Sequence, residues 1–458
     1  MEWLWPALTE RNLYSAAIIA GIAAVTNVAC AIVGCYLVLR RMSLLGDAIA
    51  HAVLPGLVLA YILSGTLSLP ALYVGAVVVG LATAALTQTL HRIGGVSEDT
   101  SMGVVFTSFF AIGVILIKRY GANVDLDPDC VLSGLLELAD DNVVNVAGRE
   151  IPRALVTIVP VLVLNIAFVS IFWKELLVAS FDPAFATAAG FRASVLHYSL
   201  MTLVALTTVA AFEQVGSILV VAMLVAPGAA AHLLTDRLRT MLLIAAGFGV
   251  LSAFGGYILA IWWDVNIAGA MTLVIGGIYL AAALFSPRYG IVPRLIRLGG
   301  MRIRILAEDI LAVLFRHKEI AGESPVSARI VWDQLGRGLI PRLALGWLVT
   351  RGYVRYQKGN LLLLPAGQAY ASEIIRAHRL WEAYEVAALG RQAERVHDSA
   401  MRVEHFLSPP LREELVSALG EASRDPHGRK IPAVDPPGRK LGADAPKTER
   451  TKTGSNPD

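Results

Sequence analysis

Met42-Ser-Leu-Leu-Gly-Asp47-Ala-Ile-Ala-His51 sets a carboxylate and an imidazole four residues apart. A helix puts both on one face. One oxygen and one nitrogen donor suit Mn²⁺, Zn²⁺ or Fe²⁺, and ionisable groups inside an apolar run are functional by default. The same two groups can instead satisfy each other as a structural pair, and spacing leaves both readings open. Pro55-Gly56 follows at once and weakens the helix, as expected where backbone lines a cavity. A second concentration of donors lies far along the chain. His378 and Glu382 are four apart, and His397, Met401, Glu404 and His405 step at four, three and one. Two such helices can enclose a divalent ion with imidazole and carboxylate ligands. A charged helical surface carries the same residue types, so this pattern too is open at the level of spacing.

Other polar residues read as structural. His232 lies near the charged pair Asp236-Arg237, and Glu213 and His197 are boundary residues, while Val225-Ala-Pro227-Gly228 is a kink that either lines a pathway or serves packing alone. Neither G-x-x-x-x-G-K-[ST] nor H-E-x-x-H occurs. Any ATP hydrolysis must therefore come from a separate chain, and an intramembrane metalloenzyme is a weak reading. Cys30, Cys35 and Cys130 are too few for a disulfide framework or a thiolate zinc cage, and Cys30 and Cys35 read as packing residues.

The elements that must position these groups are mostly membrane-spanning. Of 458 residues, 56% are hydrophobic and 16% charged, with mean hydropathy +0.61. Soluble proteins carry about 25% charged residues, so an ordinary cytosolic enzyme and an unfolded chain are both excluded. Up to residue 290 there are 13 Lys and Arg against 17 Asp and Glu; beyond it there are 26 against 19. That is a membrane domain followed by a basic soluble one. Nine apolar stretches of spanning length fall near 14–39, 44–64, 67–90, 101–117, 153–173, 194–213, 215–234, 239–261 and 265–286. The sixth and seventh are parted only by Glu213-Gln214, so eight or nine spans are expected, each a helix because lipid satisfies no backbone group. No run has the flanks of a cleaved signal peptide. Arg40-Arg41, Arg92, Lys174 with Arg192, Arg237 with Arg239, and Arg288 follow odd-numbered spans. By the positive-inside rule that side is cytoplasmic, which places the amino terminus outside and the carboxyl half in the cytosol. Between spans five and six, Phe181-Asp182-Pro183 starts a short helix that Gly190 ends.

Several segments of this half resemble one family. Arg40-Arg-Met-Ser-Leu-Leu-Gly-Asp-Ala-Ile-Ala-His-Ala-Val-Leu-Pro-Gly56 is similar to the signature of the manganese/zinc/iron ABC-transporter permeases. Ser97-Glu-Asp-Thr-Ser-Met-Gly103, Phe181-Asp-Pro183 with Gly190, Val215 to Pro227, and Phe285-Ser-Pro-Arg-Tyr-Gly290 resemble it too, over about residues 10–292. One departure is Gly228, where the family has alanine. The resemblance implies a permease dimer, of identical or sister chains, in the bacterial inner membrane. It implies ATPase subunits that hydrolyse the ATP and an extracytoplasmic metal-binding protein that delivers the ion. It also implies that Asp47 and His51 contact the metal in passage, and that Phe181, Asp182, Pro183 and Gly190 belong to a helix docking on the ATPase.

From about 301 the pattern turns to charged, amphipathic helices, expected over 303–317, 326–336 and 340–352. A two-stranded wing follows, turning at Gly359-Asn360. This is a winged-helix outline over 301–365. Helices over 366–388, 391–406 and 409–420 make a further domain (366–432), and the Pro-, Gly- and charge-rich end of the chain from 421, above all 433–458, reads as disordered. Ala377-His-Arg-Leu-Trp-Glu382, Val396 to His405, Leu407-Ser-Pro409 and Pro426-His-Gly428 resemble the iron-dependent, diphtheria-toxin-repressor-like metalloregulators over about 303–432. That resemblance implies Fe²⁺ or Mn²⁺ sensing and a dimer interface. His378, Glu382 and His397 match one site. Met401, Glu404 and His405 match the other, with Asp309 as a further ligand; the family has Cys or Glu where Met401 stands. The would-be recognition helix, Leu339 to Val349, has one basic residue and few polar ones to read bases. A basic tail suits anionic lipid as well as nucleic acid.

The chain is thus expected to be an all-α polytopic bundle with a cytosolic winged-helix and metal-binding appendage. Its expected role is a permease for Mn, Zn or Fe with a metal sensor attached. The rival is a membrane-tethered, metal-dependent DNA-binding regulator.

Overall fold

The computed structural model describes residues 10–65, 69–120, 136, 139, 142–146, 148–322, 324–420 and 423–433. The chain separates into two units at residues 294/295. In the first, the helices are α1 (Glu10–Leu39), α2 (Leu45–Ala52), α3 (Leu54–Ser64), α4 (Leu69–Gly94) and α5 (Glu98–Tyr120). After a hairpin of β1 (Val143–Val146) and β2 (Arg149–Pro152) come α6 (Arg153–Ile171), α7 (Trp173–Phe181), α8 (Pro183–Ala188), α9 (Ala193–Leu234), α10 (Leu238–Trp263) and α11 (Ile267–Phe285).

Among the described residues seven helical segments are long and apolar enough to cross a membrane: Tyr14–Leu39, Ala71–His91, Asp99–Tyr120, Arg153–Ile171, Ala193–Phe212, Leu238–Trp263 and Ile267–Phe285. Two of the nine expected stretches are apolar but interrupted. The second is split into α2 and α3 at Val53, with Pro55 in the first turn of α3. Proline lacks the amide that would continue the ladder. The sixth and seventh run together as α9 but break at Gly216, whose φ of 75° is open to glycine. The break falls two residues after the Glu213-Gln214 expected to divide them, and leaves a 16-residue helix, Leu219–Leu234.

α1 is the hub. It packs along α9 and α10, and its Tyr36, Ile22 and Leu37 are fully buried. Close approach is bought by small residues: a Cβ on Gly34 would lie 1.8 Å from the Leu224 carbonyl oxygen. Without a hydrophobic drive between helices in lipid, such van der Waals contact and polar bonds hold the bundle. The amide of Asn165 donates to Thr207 Oγ1 (2.9 Å), Asn27 donates to the Gly249 carbonyl (3.0 Å), and Gln214 donates to the Ala154 carbonyl (3.0 Å). Cys30 and Cys35 are buried, as packing residues should be. Cys130 lies outside the described residues.

The second unit contains most of α12 (Ile291–Ala321), then β3 (Val326–Ser327), α13 (Ala328–Leu335), α14 (Leu339–Thr350), β4 (Val354–Gln357) and β5 (Asn360–Leu363). β3 joins the wing to give a three-stranded antiparallel sheet, order β3-β5-β4. The wing turns at Lys358-Gly359, one residue earlier than expected. Both have positive φ (45° and 81°), as a type I′ turn requires, while Asn360 already pairs with Gln357. α15 (Pro365–Ala387), a 3₁₀ turn at Ala393–Arg395, α16 (His397–Val403) and α17 (Pro409–Leu419) complete it. The expected helix 391–406 is therefore two pieces. Residues 423–433, expected to begin the disordered tail, are ordered instead: Arg424 and Lys430 form a bridge and Ile431 is buried. Asp425 explains this, because it accepts from the amides of His427 and Arg429 and faces Arg379 at 3.6 Å. The rest of that tail lies outside the described residues.

Candidate metal sites

Asp47 and His51 lie one turn apart on the eight-residue helix α2, so their shared face is settled by backbone alone. The Asp47 side chain lies outside the described set. The His51 ring is half-buried beside Phe106 and Phe110 of α5, at 6.2 and 6.0 Å between centroids. Aromatic walls limit water around an imidazole and strengthen its interaction with charge.

The short helix α8 is capped as its sequence requires. Asp182 accepts from the Phe185 amide at 2.9 Å, Pro183 opens the first turn, and Gly190 follows the end with φ 88°. Phe181 and Phe185 are exposed, at 62% and 60%.

In the second unit two groups of donors converge. His378 and Glu382 come from α15 and His397 from the start of α16. His378 Nε2 is 3.0 Å from Glu382 Oε1 and 3.1 Å from His397 Nδ1, which is itself 2.9 Å from Glu382 Oε1. Two ligands held about 2.1 Å from a divalent ion at right angles are about 3.0 Å apart. The triangle thus fits one. The second group joins Asp309 of α12 to Glu404 and His405 at the end of α16. His405 Nε2 lies 3.2 Å from Asp309 Oδ1 and 3.6 Å from Glu404 Oε1. Met401, one turn earlier, is 45% exposed.

Three residues outside the expected set complete these sites. Glu308 is buried and accepts from His405 Nδ1 (2.8 Å), Tyr370 Oη (2.6 Å) and Arg304 (2.8 Å). Holding Nδ1 in this way turns Nε2 toward Asp309 and Glu404. Its signal in the sequence is a carboxylate on the buried stripe Ala307, Glu308, Leu311, Leu314. His427 Nε2 stands 3.9 Å from Glu382 Oε1. Arg379 binds Glu319 through two nitrogens and ties residues 423–433 to α15 through the Lys430 carbonyl.

The model of the ABC 3 transport family matches residues 11–286. The chain belongs to the ABC 3 transport family. That of the iron dependent repressor metal binding and dimerisation domain matches residues 364–433, which hold both histidine groups except Asp309. Over 277 residues the chain is 48% identical to a manganese transport system membrane protein of Bacillus subtilis (strain 168), covering 60% of this chain and 94% of that one. A zinc transport system membrane protein of Treponema pallidum (strain Nichols) is 38% identical over 351 residues, 75% of this chain and 94% of its own. Among solved structures, PsaBC from Streptococcus pneumoniae in complex with Fab aligns with TM-score 0.52 and 31% identity over 63% of this chain and 96% of that one.

This ABC 3 family member therefore carries a repressor-type metal-binding domain in which two histidines hold their protons more firmly than a free imidazole. Burial would lower the His378 pKa, but hydrogen bonds to Glu382 and Glu404 outweigh it and raise it. Burial likewise opposes the shift at His405, yet Asp309 and Glu308 carry its pKa up to about 9. Burial would raise the Glu382 carboxyl; His378 and His397 instead bring it down to about 2. Imidazolium and carboxylate thus compensate one another, and a cation binding among them would have to displace protons. The sign follows: below pH 9 His405 is protonated without metal, so binding tightens as pH rises. Manganese titrations of the full chain are expected to gain about tenfold in affinity per pH unit from 7 to 8, levelling near 9. A constant affinity from pH 6 to 9 would exclude His405 as a ligand.

Proposed function

We propose that the chain is the permease subunit of an ABC importer that moves a divalent transition metal, Mn, Zn or Fe, across the bacterial inner membrane. The observation that carries this reading is the ABC 3 family match over 11–286 in the same chain as two converging groups of N and O donors. Asp47 and His51 serve as the transport-path ligands. A naked divalent ion is costly in lipid, and a carboxylate and an imidazole on one helix face offset part of its lost hydration. A second permease subunit completes the path, an extracytoplasmic metal-binding protein loads it, and ATP is hydrolysed on a separate ATPase subunit. Phe181, Asp182, Pro183 and Gly190 form the ATPase-coupling element; the exposed Phe181 and Phe185 give it an apolar docking face.

The carboxyl-terminal unit lies in the cytosol and senses the imported metal. His378, Glu382 and His397 hold one ion, and Asp309, Glu404 and His405 the other, with Met401 beside them. Filling these sites restrains uptake. DNA is the less favoured partner: the exposed face of α14 presents Leu339, Ile340 and Leu343 around a single Arg342. Such a face offers few donors to base edges.

The test is uptake of radiolabelled Mn²⁺, Zn²⁺ and Fe²⁺ into liposomes holding the full chain, its ATPase and the binding protein. ATP-dependent accumulation of at least one is expected, restrained by internal metal in the full chain and unrestrained without residues 300–458. Failure to accumulate any of the three, with specific operator binding by the full chain, would favour the tethered regulator.

A further inference from the structure

A cavity of about 640 Å³ opens where α1, α4, α7, α8 and the start of α9 meet, at the level where the first span ends. Its polar wall holds Arg40, Arg41, His91 and His197, with Thr87 and Gln88 beside them. Among the described residues no carboxylate lines it. Arg40 is held in place from two sides: its Nε donates to Ser180 Oγ at 3.4 Å and its Nη1 lies 3.3 Å from His197 Nδ1. Its Nη2 is buried and has no hydrogen-bond partner among the described residues, and the same is true of Thr87 Oγ1. Arg379, by contrast, faces Glu319 and Asp425.

Two guanidinium groups and two imidazoles at the wall of one cavity, with no acid among the described lining residues, suit an anion. The other wall is apolar, supplied by Leu39, Met42, Leu45 and Phe181. We infer that this cavity binds a phosphoryl group, with the guanidinium groups of Arg40 and Arg41 supplying two positive charges and His91 and His197 on the same wall. Two sources share that chemistry, an anionic phospholipid headgroup and free inorganic phosphate. An acidic side chain of a partner fits less well, because it would leave most of the volume and the apolar wall unused. The cavity borders α8, so its occupant would touch the coupling element directly: Phe181, Pro183, Ala184 and Thr187 all line it.

The experiment is native mass spectrometry of the full-length protein, extracted from membranes and washed into neutral detergent. About one phosphatidylglycerol or cardiolipin is expected to remain per chain, with phosphatidylcholine retained at least tenfold less. R40Q removes one of the two guanidinium charges and is expected to lower retention at least tenfold. A184W fills the cavity from its exposed rim with every cation intact, and is expected to do the same; it decides the matter if R40Q does not fold. Inorganic phosphate is titrated in parallel. Phosphate binding to the wild type that is lost in both variants supports the site with free phosphate as its source. Equal retention of anionic and zwitterionic lipid without phosphate binding, unchanged binding in A184W, or anion binding only when the ATPase is present would overturn the proposal.

Discussion

ATP-driven metal uptake is expected to fall at least about a hundredfold when Asp47 and His51 are replaced together by asparagine and glutamine. Losing a group that merely orients a ligand commonly costs ten- to a hundredfold in metal affinity, and these substitutions remove the charge and the imidazole themselves. The loss should appear in transport and not in assembly. The residues of α2 that pack into the bundle, Gly46, Ala48, Ile49 and Ala52, are unchanged in this variant. ATP hydrolysis by the reconstituted complex, read alongside uptake, separates the two effects. Each single variant should lose less than the pair, since either ligand alone still offers the ion one donor. Uptake at the wild-type rate in the double variant would show that the ion passes by another path.

The second large effect concerns Glu404, which faces both donor groups. Its Oε2 lies 2.5 Å from His378 Nδ1, and its Oε1 3.6 Å from His405 Nε2. Removing its charge acts on both groups at once. E404Q is therefore expected to reduce bound manganese from two ions per chain to none at micromolar free metal, the affinity falling about ten- to a hundredfold at the His378 group, where it orients a ligand, and about a hundredfold at the His405 group, where it is one. H397A should cost only the first ion. That side chain is 47% exposed and touches Glu382 and His378, not Glu404. Metal content by plasma mass spectrometry after equilibrium dialysis reads the difference directly. The same variants carry the feedback idea. If the filled sites restrain transport, E404Q should transport normally yet lose its sensitivity to internal metal; uptake that stays restrained would uncouple the domain from the permease. A loss of one ion in E404Q, equal to that in H397A, would show that the two groups are independent.

The order of elements in the carboxyl half was legible for a simple reason. Helical amphipathicity and the φ demands of a turn are local, so the helices and the wing could be placed from the chain alone. The wing turn moved by one residue because Lys358 tolerates the left-handed conformation that Gly359 invites. The β1–β2 hairpin was not foreseen, since a four-residue strand beside a long apolar run leaves little periodic signal. Gly216 rather than Glu213-Gln214 divides α9, because a polar pair can stay helical when Gln214 reaches Ala154 and Thr157, whereas a φ of 75° cannot. Residues 423–433 have a disordered composition and an ordered structure for a tertiary reason. Arg379 and Asp425 meet across 46 positions, and no window of composition contains that contact.

Residue chemistry and helical spacing alone determined that the chain spans a membrane, that Asp47 and His51 share a face, and that imidazoles and carboxylates recur at ligand spacing near residue 400. These are properties of composition and of a 3.6-residue period. Packing alone decided the rest: that Glu404 stands between two donor groups, that Glu308 and Asp309 reach His405 from nearly a hundred residues away, and that Arg40 lines a cavity with no acid among its described residues. Each depends on distances between segments remote in the chain, which no local periodicity encodes.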